Sequence, residues 1–371
     1  ISEIFLCGDC RPYHQNIIPI CKELSISVWV FEEGYLRPNC ITLEKWGVNA
    51  LSQDYEKPLQ GLQPSLPLPR ILPCSHHRTV LFPFLLSIRY YTFIAFGIFD
   101  SKLHFVLQKI YTFFSRKSHS KEKNPLKEKF LYQHYRSLSL KEILYFTRSF
   151  LRKVIYVKKE HDIRKKLRQL DRPRLFVVPL QIVNDSQITR HSDFPNMEAF
   201  IMEVIRSFSK AAPADTYIVF KHHPLNRGHC HYGAYIRHLV QQFHMDPQRI
   251  LYVHTTPLSF FWPKTLGCVT INSTSGFNAL QNGIPTICLG RCLYNRQGIT
   301  HTGSLDDFWM RPEKPQMAKI RQLEHYWKSH VLIQASFYHP LQHNLWDCIP
   351  SHLREQLELR CNRDQNIDTS H

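Results

Sequence analysis

Short apolar runs rich in β-branched and aromatic residues recur along this 371-residue chain and alternate with segments of helical periodicity. The runs that we predict as strands are Ile4–Cys7, Ile26–Phe31, Leu175–Leu180, Tyr217–Phe220, Ile250–Val253, Gly267–Ile271 and Thr286–Leu289. Helix-period segments lie between several of them, at Met197–Ser209, Tyr232–Phe243 and Phe277–Gln281. Such alternation favours βαβ units with parallel sheets. It predicts an α/β fold with two Rossmann-like halves.

The spacing of these runs also predicts the domain organisation. They are dense after residue 172 and interrupted before it, and the chain is longer than one hydrophobic core usually allows. We expect an N-terminal domain at residues 1–170 and a C-terminal domain at 171–325, joined near Asp171, with a helical segment and tail at 326–371. The first domain would carry a long insertion over residues 55–168.

The insertion has a Pro-rich loop (58–73), an aromatic apolar part (80–114) and a basic helical part (121–168). Residues 101–168 hold 19 Lys and Arg against 5 Asp and Glu, in a chain of net charge +17. This excess indicates a polyanionic partner, either nucleic acid or an anionic membrane surface. We favour a membrane surface, because no nucleic-acid-binding motif accompanies the charge and the aromatic part suits lipid headgroups. An ordinary helical subdomain with a core of aromatics is the alternative.

The ends and the cysteines of the chain bear on its location. The sequence begins at Ile1, already strand-like and without Met, so we expect a further segment upstream. The sequence has no uninterrupted run of about 18 apolar residues, so we expect no transmembrane helix. Eleven scattered cysteines, with one Cys-x-x-Cys at Cys7 and Cys10, are typical of reduced thiols in a cytosolic protein. A redox or metal role for that pair is the less favoured interpretation.

Two adjacent carboxylates, Glu32 and Glu33, precede Gly34 where the second predicted strand ends. The carboxyl edge of an open α/β sheet is where such proteins keep their chemistry. Only one of two neighbouring side chains on an extended backbone can face a cleft. We therefore predict Glu33 as the reacting group and Glu32 as its structural support. A solvated turn with two surface acids is the alternative.

Three further clusters follow predicted strands of the second half. They are Lys221-His222-His223, before Pro224; Asn272-Ser273-Thr274-Ser275, before a helix; and Asp185. Cationic and imidazole donors can bind a phosphate or a sugar carboxylate. Hydroxyl and backbone N–H groups at a helix N-terminus favour phosphate. Structural histidines and simple N-capping are the respective alternatives.

The order of these motifs resembles that of bacterial GT-B glycosyltransferases that use CMP-activated acidic sugars. Further motifs narrow the resemblance to the capsule polysaccharide biosynthesis and export proteins of the KpsS/LipB type. They are Phe31–Pro38, Ile41–Glu44, Gly47–Asn49, His76–Arg78, Pro179–Gln181, Asp185–Gln187, Lys221–Pro224, Asn272–Thr274, Gly290, Tyr294, Gly298–Thr300 and Asp306–Trp309. The resemblance covers nearly the whole chain.

The resemblance implies a GT-B-like enzyme with its active site in the cleft between two domains. It would be a retaining β-Kdo transferase, moving Kdo from CMP-β-Kdo to phosphatidylglycerol or its lyso form and starting the poly-Kdo linker of a capsule. Glu33 would stabilise or trap an oxocarbenium-like centre. Lys221, His222 and His223 would face the CMP phosphate or the Kdo carboxylate, with Ser273, Thr274 and Ser275 on the phosphate. Arg37 would pair with the Kdo carboxylate, and Asp185 would be a second acid or base.

No Asp-x-Asp motif follows a predicted strand, so we expect no metal and no cofactor besides the CMP-Kdo donor. A lipid acceptor would explain the basic insertion, because Lys158, Lys159, Lys165 and Lys166 would hold the enzyme on the cytoplasmic face of the inner membrane. A partner poly-Kdo transferase is a further expectation. Two alternatives remain: another CMP- or CDP-donor GT-B enzyme, sialyl or polyol-phosphate, and a non-catalytic assembly or export factor.

Overall fold

The computed structural model describes residues 1–37, 40–57, 140–169, 174–183, 185–335 and 349. Most of the predicted insertion, the predicted junction near Asp171, His76–Arg78 and nearly all of the C-terminal tail lie outside the described residues. The domain boundaries therefore stay predictions.

Nine strands and nine α-helices are formed by the described residues. The strands are β1 (Glu3–Cys7), β2 (Ser27–Glu33), β3 (Ile41–Lys45), β4 (Arg174–Pro179), β5 (Thr216–Lys221), β6 (Ile250–Val253), β7 (Thr265–Thr270), β8 (Thr286–Cys288) and β9 (Leu332–Ile333). The helices are α1 (Pro12–Glu23), α2 (Leu140–Gln169), α3 (Ser186–Thr189), α4 (Met197–Ala211), α5 (Gly233–Gln242), α6 (Leu258–Phe261), α7 (Thr274–Gln281), α8 (Leu305–Met310) and α9 (Met317–His330).

The larger sheet has the order β6-β5-β4-β7-β8, and all of its strands are parallel. Its strands read as continuous apolar runs because helices cover both faces of a parallel sheet. Phe176 and Val177, neighbours on β4, are both fully buried, in two different hydrophobic clusters. This sheet confirms the predicted α/β class, and each of its five strands lies within two residues of its predicted bounds.

The smaller sheet has the order β1-β2-β3-β9 and is mixed. Strands β1 and β2 are parallel, as expected for a βαβ unit that contains α1, whereas β3 and β9 are added antiparallel. Sequence periodicity missed both β3 and β9. The two residues of β9 are too few to show a pattern. The strand comes from the distant end of the chain, so α9 returns from the larger sheet to the smaller one.

Aromatic and polar contacts join the two sheets. The ring of Tyr35, just after β2, lies 5.0 Å from that of Trp327 on α9, which in turn lies 4.7 Å from Phe277 on α7. The hydroxyl of Tyr326 donates to Asp54 at 2.7 Å. One helix, α9, thus fixes the turn after β2 against the larger sheet. None of the helices in the described ranges is both long and apolar enough to cross a membrane.

A carboxyl group, Glu44 on β3, is buried under the smaller sheet. The hydroxyl of Tyr35 donates to Glu44 Oε1 at 2.5 Å, and the hydroxyl of Ser52 donates to Oε2. Burial raises the pKa of Glu44 to about 8, although these hydrogen bonds act in the opposite direction. The side chain is therefore largely protonated at neutral pH.

Glu44 predicts a pH-dependent stability. Its folded-state pKa of about 8 lies above its ordinary value of 4.5, so the folded protein binds more protons than the unfolded chain between these values. The free energy of unfolding should fall as pH rises through this window, by about 1.4 kcal/mol per pH unit. Urea unfolding of Glu44→Gln should lack this slope, whereas the exposed Glu56→Gln should keep it. Equal slopes in all three proteins would show that Glu44 is ionised.

Candidate functional site

The acidic pair forms the last two residues of β2. The predicted strand stopped at Phe31, but pairing with β3 extends it, since Glu32 lies opposite Thr42 and Glu33 opposite Ile41. The backbone N–H of Gly34 then donates to the carbonyl of Cys40 at 2.8 Å. A Cβ at residue 34 would lie 2.5 Å from that carbonyl oxygen, so only glycine allows this close approach.

The two carboxylates have different surroundings. Glu32 Oε1 accepts a hydrogen bond from the backbone N–H of Glu33 at 3.0 Å, and its Oε2 lies against Gly8 after β1. Glu33, whose side chain is 27% exposed, forms an ion pair with Arg37. This difference fits the predicted division into a supporting Glu32 and a reacting Glu33, whose roles remain predictions.

Arg37 connects the acidic pair with the larger sheet. Burial raises the pKa of Asp185, and hydrogen bonds from Gln187 and Gln181, together with the positive charge of Arg37, partly offset this effect. Burial lowers the pKa of His223 to about 4, with Arg37 among the cations that lower it further. One guanidinium group therefore acts on Glu33, Asp185 and His223. These residues come from three of the motifs found in the sequence.

Asp185 and His223 are held by caps of short helical turns. The carboxylate of Asp185 accepts from the backbone N–H of Gln187 at 3.0 Å, as the N-cap of α3. His223 Nδ1 accepts from the backbone N–H of Leu225 at 3.3 Å, which fixes the neutral tautomer with its proton on Nε2. Both side chains sit at the carboxyl edge of the larger sheet.

Lys221 and His222 lie deeper than the sequence suggested. The ammonium group of Lys221 donates to the carbonyls of His254 at 2.7 Å and His222 at 3.0 Å, and burial lowers its pKa to about 8. His222 is fully buried, with Nδ1 2.7 Å from the hydroxyl of Tyr252 and a pKa lowered by burial to about 3. Its Nε2 has no hydrogen-bond partner within the described ranges. His222 is therefore a neutral imidazole behind the turn that carries His223.

Asn272 joins three loops at the same edge. Its side-chain amide donates to the carbonyl of Gln187 at 2.7 Å and makes longer contacts with those of His191 and Arg291, while Oδ1 accepts from Gln181 at 3.0 Å. These contacts occupy both ends of the amide. Asn272 therefore supports the walls of the site. Sequence analysis predicted a contact of Asn272 with substrate and did not predict this supporting role.

The hydroxyl-rich turn begins α7. Ser273 is its N-cap, with the side chain accepting from the backbone N–H of Ser275 at 3.2 Å, and its carbonyl accepts from the hydroxyl of Tyr294 at 2.5 Å. Thr274 and Ser275 occupy the first turn and are half-buried. The predicted N-capping is thus present, and phosphate binding by these residues remains a prediction.

A further group at the site consists of Asp9, Cys10 and His191. Of these residues, sequence analysis had singled out only Cys10. Their ligand atoms all lie within 4.8 Å of one another, which makes this a possible metal site in the part of the chain that the structure describes. Asp9 Oδ2 accepts from the backbone N–H of Val48 at 2.7 Å, and Cys10 Sγ lies 3.4 Å from His191 Nε2.

The thiol of this group is protonated. Burial raises the pKa of Cys10 far above its ordinary value, and Asp9 adds to this effect. A cation would have to displace that proton and the hydrogen bonds of the group. Asp9 follows β1 at the edge that carries Glu33, so its position after a predicted strand could have identified it. Nothing in the sequence pointed to His191.

A cavity of about 580 Å³ extends from Asp9 along the smaller sheet. Its lining residues are Asp9, Gln15, Ile18, Pro19, Lys22, Trp46, Leu51 and Gln53. The ammonium group of Lys22 lies 5.6 Å from the centre of the Trp46 ring. Apolar walls next to an exposed cation suit an amphiphilic molecule with an anionic group.

The structure predicts that Asn272→Ala destabilises the fold. The substitution removes the hydrogen bonds of Asn272 with the carbonyl of Gln187 and with the side-chain amide of Gln181, so the free energy of unfolding should fall by about 2 to 4 kcal/mol. Asn282→Ala, at the exposed end of α7, is the matched control and should change it by much less. Urea unfolding monitored by tryptophan fluorescence measures both. A loss below about 0.5 kcal/mol for Asn272→Ala would contradict this supporting role.

Comparison with known proteins gives relatives over nearly the whole chain. The chain is 35% identical over 341 residues to the capsule polysaccharide modification protein LipB of Neisseria meningitidis serogroup B, covering 91% of this chain and 75% of that protein. It is 32% identical over 344 residues to the capsule polysaccharide export protein KpsS of Escherichia coli, with coverages of 91% and 79%.

Among solved structures, KpsC of Thermosulfurimonas dismutans, a beta Kdo 2,7 transferase, aligns with a TM-score of 0.39 at 15% identity, over 86% of this chain and 74% of that one. The family model described as capsule polysaccharide biosynthesis protein matches residues 2–97 and 111–338. The sequence resemblance to this family is thereby confirmed. The chain belongs to the capsule polysaccharide biosynthesis protein family.

Proposed function

We propose that this protein is a glycosyltransferase that moves Kdo from CMP-β-Kdo to phosphatidylglycerol or its lyso form, and so starts the poly-Kdo linker of a capsular polysaccharide. The observation that carries the proposal is the ion pair of Glu33 with Arg37, whose positive charge also acts on the pKa values of Asp185 and His223 at the edge of the larger sheet. Membership of a capsule biosynthesis family supports the substrate class.

The carboxylate of Glu33 suits the reacting centre. In the first step the bond from Kdo C2 to the phosphate oxygen breaks, and the electron pair leaves with CMP. The carboxylate of Glu33 attacks C2 on the opposite face and forms a covalent bond to it. In the second step the acceptor hydroxyl attacks C2 and expels Glu33. Two displacements retain the configuration at C2.

Asp185 suits the proton transfer. The acceptor hydroxyl must lose its proton as it attacks, and a carboxyl whose pKa is raised by burial is a better base than an ordinary aspartate. Arg37 would pair with the carboxylate of Kdo when the donor binds, in exchange for part of its interaction with Glu33. That exchange would leave Glu33 more nucleophilic.

The leaving CMP would be stabilised by the N-terminus of α7 with Ser273, Thr274 and Ser275, and by the positive charge of Lys221 at the end of β5. His223 would donate to a phosphate or carboxylate oxygen through Nε2. We propose that these groups suffice without a divalent cation or a cofactor. Loss of activity in EDTA that magnesium restores would contradict that statement.

The cavity beside Asp9 is the proposed acceptor site. The cavity reaches Asp9, which forms a group with Cys10 and His191. Lys22 at its wall can bind the phosphate of the lipid headgroup. The apolar side chains of Ile18, Trp46 and Leu51 can contact glycerol and the first methylene groups. The acceptor hydroxyl would then approach from the side of the smaller sheet.

Glu33→Gln is the direct test of the mechanism. It preserves the size of the side chain but removes the nucleophile, so transfer of Kdo from CMP-Kdo to a fluorescent phosphatidylglycerol analogue should fall at least about a hundredfold. Glu23→Gln, an exposed carboxylate at the end of α1, is the control and should retain wild-type activity. Equal product from wild type and Glu33→Gln would remove Glu33 from the mechanism.

The same assay separates the alternatives. Competition with CMP-sialic acid or CDP-glycerol that abolishes Kdo transfer would favour another cytidine-donor enzyme. A non-catalytic assembly or export factor requires that Glu33→Gln leave capsule formation intact in cells. Product from wild type alone supports the transferase with Kdo as the donor sugar.

One face of α2 supports a place on an anionic membrane. Six apolar side chains between residues 144 and 157 are exposed, namely Leu144, Phe150, Leu151, Val154, Ile155 and Val157. The helix carries ten Lys and Arg against three Asp and Glu, and Lys158, Lys159 and Lys165 are exposed. Apolar side chains flanked by cations suit headgroups that are themselves anionic. We propose peripheral association with the cytoplasmic face of the inner membrane, where a partner poly-Kdo transferase would receive the product.

Flotation with liposomes tests this surface. Vesicles that contain phosphatidylglycerol should carry wild-type protein, and Val154→Asp with Ile155→Asp should lose most of that binding because two charges enter the apolar face. Met202→Asp places the same charge on an exposed apolar residue of α4 and should float like wild type. Flotation unchanged by the α2 variants, or by charge reversal at Lys158, Lys159 and Lys165, would count against membrane binding by α2.

A further inference from the structure

A carboxylate on the basic helix α2, Glu160, is bound by the loop that follows β6. Its Oε1 accepts from the backbone N–H of His254 at 2.5 Å, and its Oε2 accepts from that of Thr256 at 2.7 Å. The N–H of Thr255 lies 3.0 Å from both oxygens. The hydroxyls of Thr255 and Thr256 donate to Oε2 at 2.8 and 2.7 Å. Five donors from three successive residues thus surround one carboxylate.

These donors keep Glu160 ionised although it is 1% exposed. Burial by itself would raise the pKa of Glu160, but the hydrogen bonds from His254, Thr256 and Thr255 outweigh it and lower the pKa below the ordinary value. A buried negative charge is therefore a permanent feature of this end of the larger sheet.

Attachment of α2 does not by itself require a charge at residue 160. Leu167 is buried against the larger sheet, and its carbonyl accepts from the ammonium group of Lys264. The ring of Tyr156 stacks on that of His254 at 3.8 Å. Apolar and aromatic contacts already fix the helix, and burying a charge is costly when packing suffices.

His254, whose backbone N–H donates to Glu160, also binds two cations through its carbonyl group. The carbonyl of His254 accepts from the ammonium group of Lys221 at 2.7 Å and from the guanidinium group of Arg227 at 3.2 Å. Lys221 is the last residue of β5, directly before the His222–His223 turn. Glu160, His254 and Lys221 therefore form one continuous chain of hydrogen bonds from α2 to the candidate donor site.

We infer that Glu160 is a positioning residue for the donor site: it fixes residues 254–256 and supplies the negative charge that balances the ammonium group of Lys221 inside the protein. The inference rests on the proposed function in one respect, since it takes Lys221 as the cation that faces the leaving phosphate. Glu160 itself touches neither the donor nor the acceptor.

The charges around Lys221 predict the direction in which its pKa should change when the charge of Glu160 is removed. Burial lowers the pKa of Lys221 to about 8, Glu160 on α2 acts to raise it, and Arg227 acts to lower it further. The imidazoles near Lys221 are those of His222, His223 and His254, whose pKa values are lowered by burial so that they are neutral at pH 7. Removal of the Glu160 charge should therefore lower the pKa of Lys221, and the amine should lose its proton at a lower pH.

Amine labelling measures this change without donor or acceptor. Competitive acetylation of the full chain over a range of pH, read by mass spectrometry, gives the midpoint of Lys221, with exposed Lys210 as internal reference. Glu160→Gln should move the Lys221 midpoint down by about one pH unit, a tenfold change in acid dissociation. Asp162→Asn removes an exposed charge from the same helix and should leave the midpoint in place.

Glu160→Asp separates charge from fold. It keeps the carboxylate, so the Lys221 midpoint should stay near that of wild type even if the shorter side chain loosens the loop. Thermal unfolding of each variant establishes that the labelled protein is folded. If folded Glu160→Gln keeps the wild-type Lys221 midpoint, or if Glu160→Asp moves it as far as Glu160→Gln does, the inference is overturned.

Kinetics then connect the charge to the donor. The alkaline limb of the pH profile of kcat/KM for CMP-Kdo should move to lower pH in Glu160→Gln by the same interval as the labelling midpoint, while KM for the lipid acceptor is unchanged. A shifted midpoint with an unchanged pH profile would support the electrostatic role of Glu160 and contradict the proposed role of Lys221. The two results therefore distinguish failure of the inference from failure of the proposed function.

Discussion

The positive charge of Arg37 is the constraint on which the arrangement of the site depends. It forms an ion pair with Glu33 at the end of β2 and acts on Asp185 and His223 at the edge of the larger sheet. Its guanidinium group therefore acts on candidate residues of both sheets. The aromatic contact of Tyr35 with Trp327 fixes the backbone that carries this charge.

Burial sorts the remaining polar groups into those that can meet a substrate and those that organise the walls. Glu33, His223, Thr274 and Ser275 keep part of their surface exposed, whereas His222 and Asn272 have almost none. The polar atoms of these two contact protein groups, with His222 Nδ1 on the hydroxyl of Tyr252 and the amide of Asn272 on Gln181 and on the carbonyl of Gln187. Such contacts hold an edge of the sheet in one geometry, which a preorganised site requires.

Helix α2 gives the molecule two surfaces with different tasks. Its exposed apolar side chains and lysines suit a lipid surface, and its buried carboxylate reaches the loop after β6. A single rigid helix therefore lies between the proposed membrane surface and the proposed donor site. The proposed acceptor is a lipid and the proposed donor a soluble nucleotide sugar, so an element that contacts both environments agrees with the proposed chemistry.

Sequence periodicity by itself determined the strands of the larger sheet, because fully buried parallel strands read as continuous apolar runs, and it located Glu33, Asp185 and His223 because strand ends are marked by a change to polar residues. It did not find β3 or β9. The pairing of β9, the approach of His191 to Cys10 and the contacts of Glu160 each join residues at least 94 positions apart. The sequence also gave no means to separate His222 from His223, or Asn272 from Ser273. Burial distinguishes them, and burial is decided only when the sheets and helices pack together.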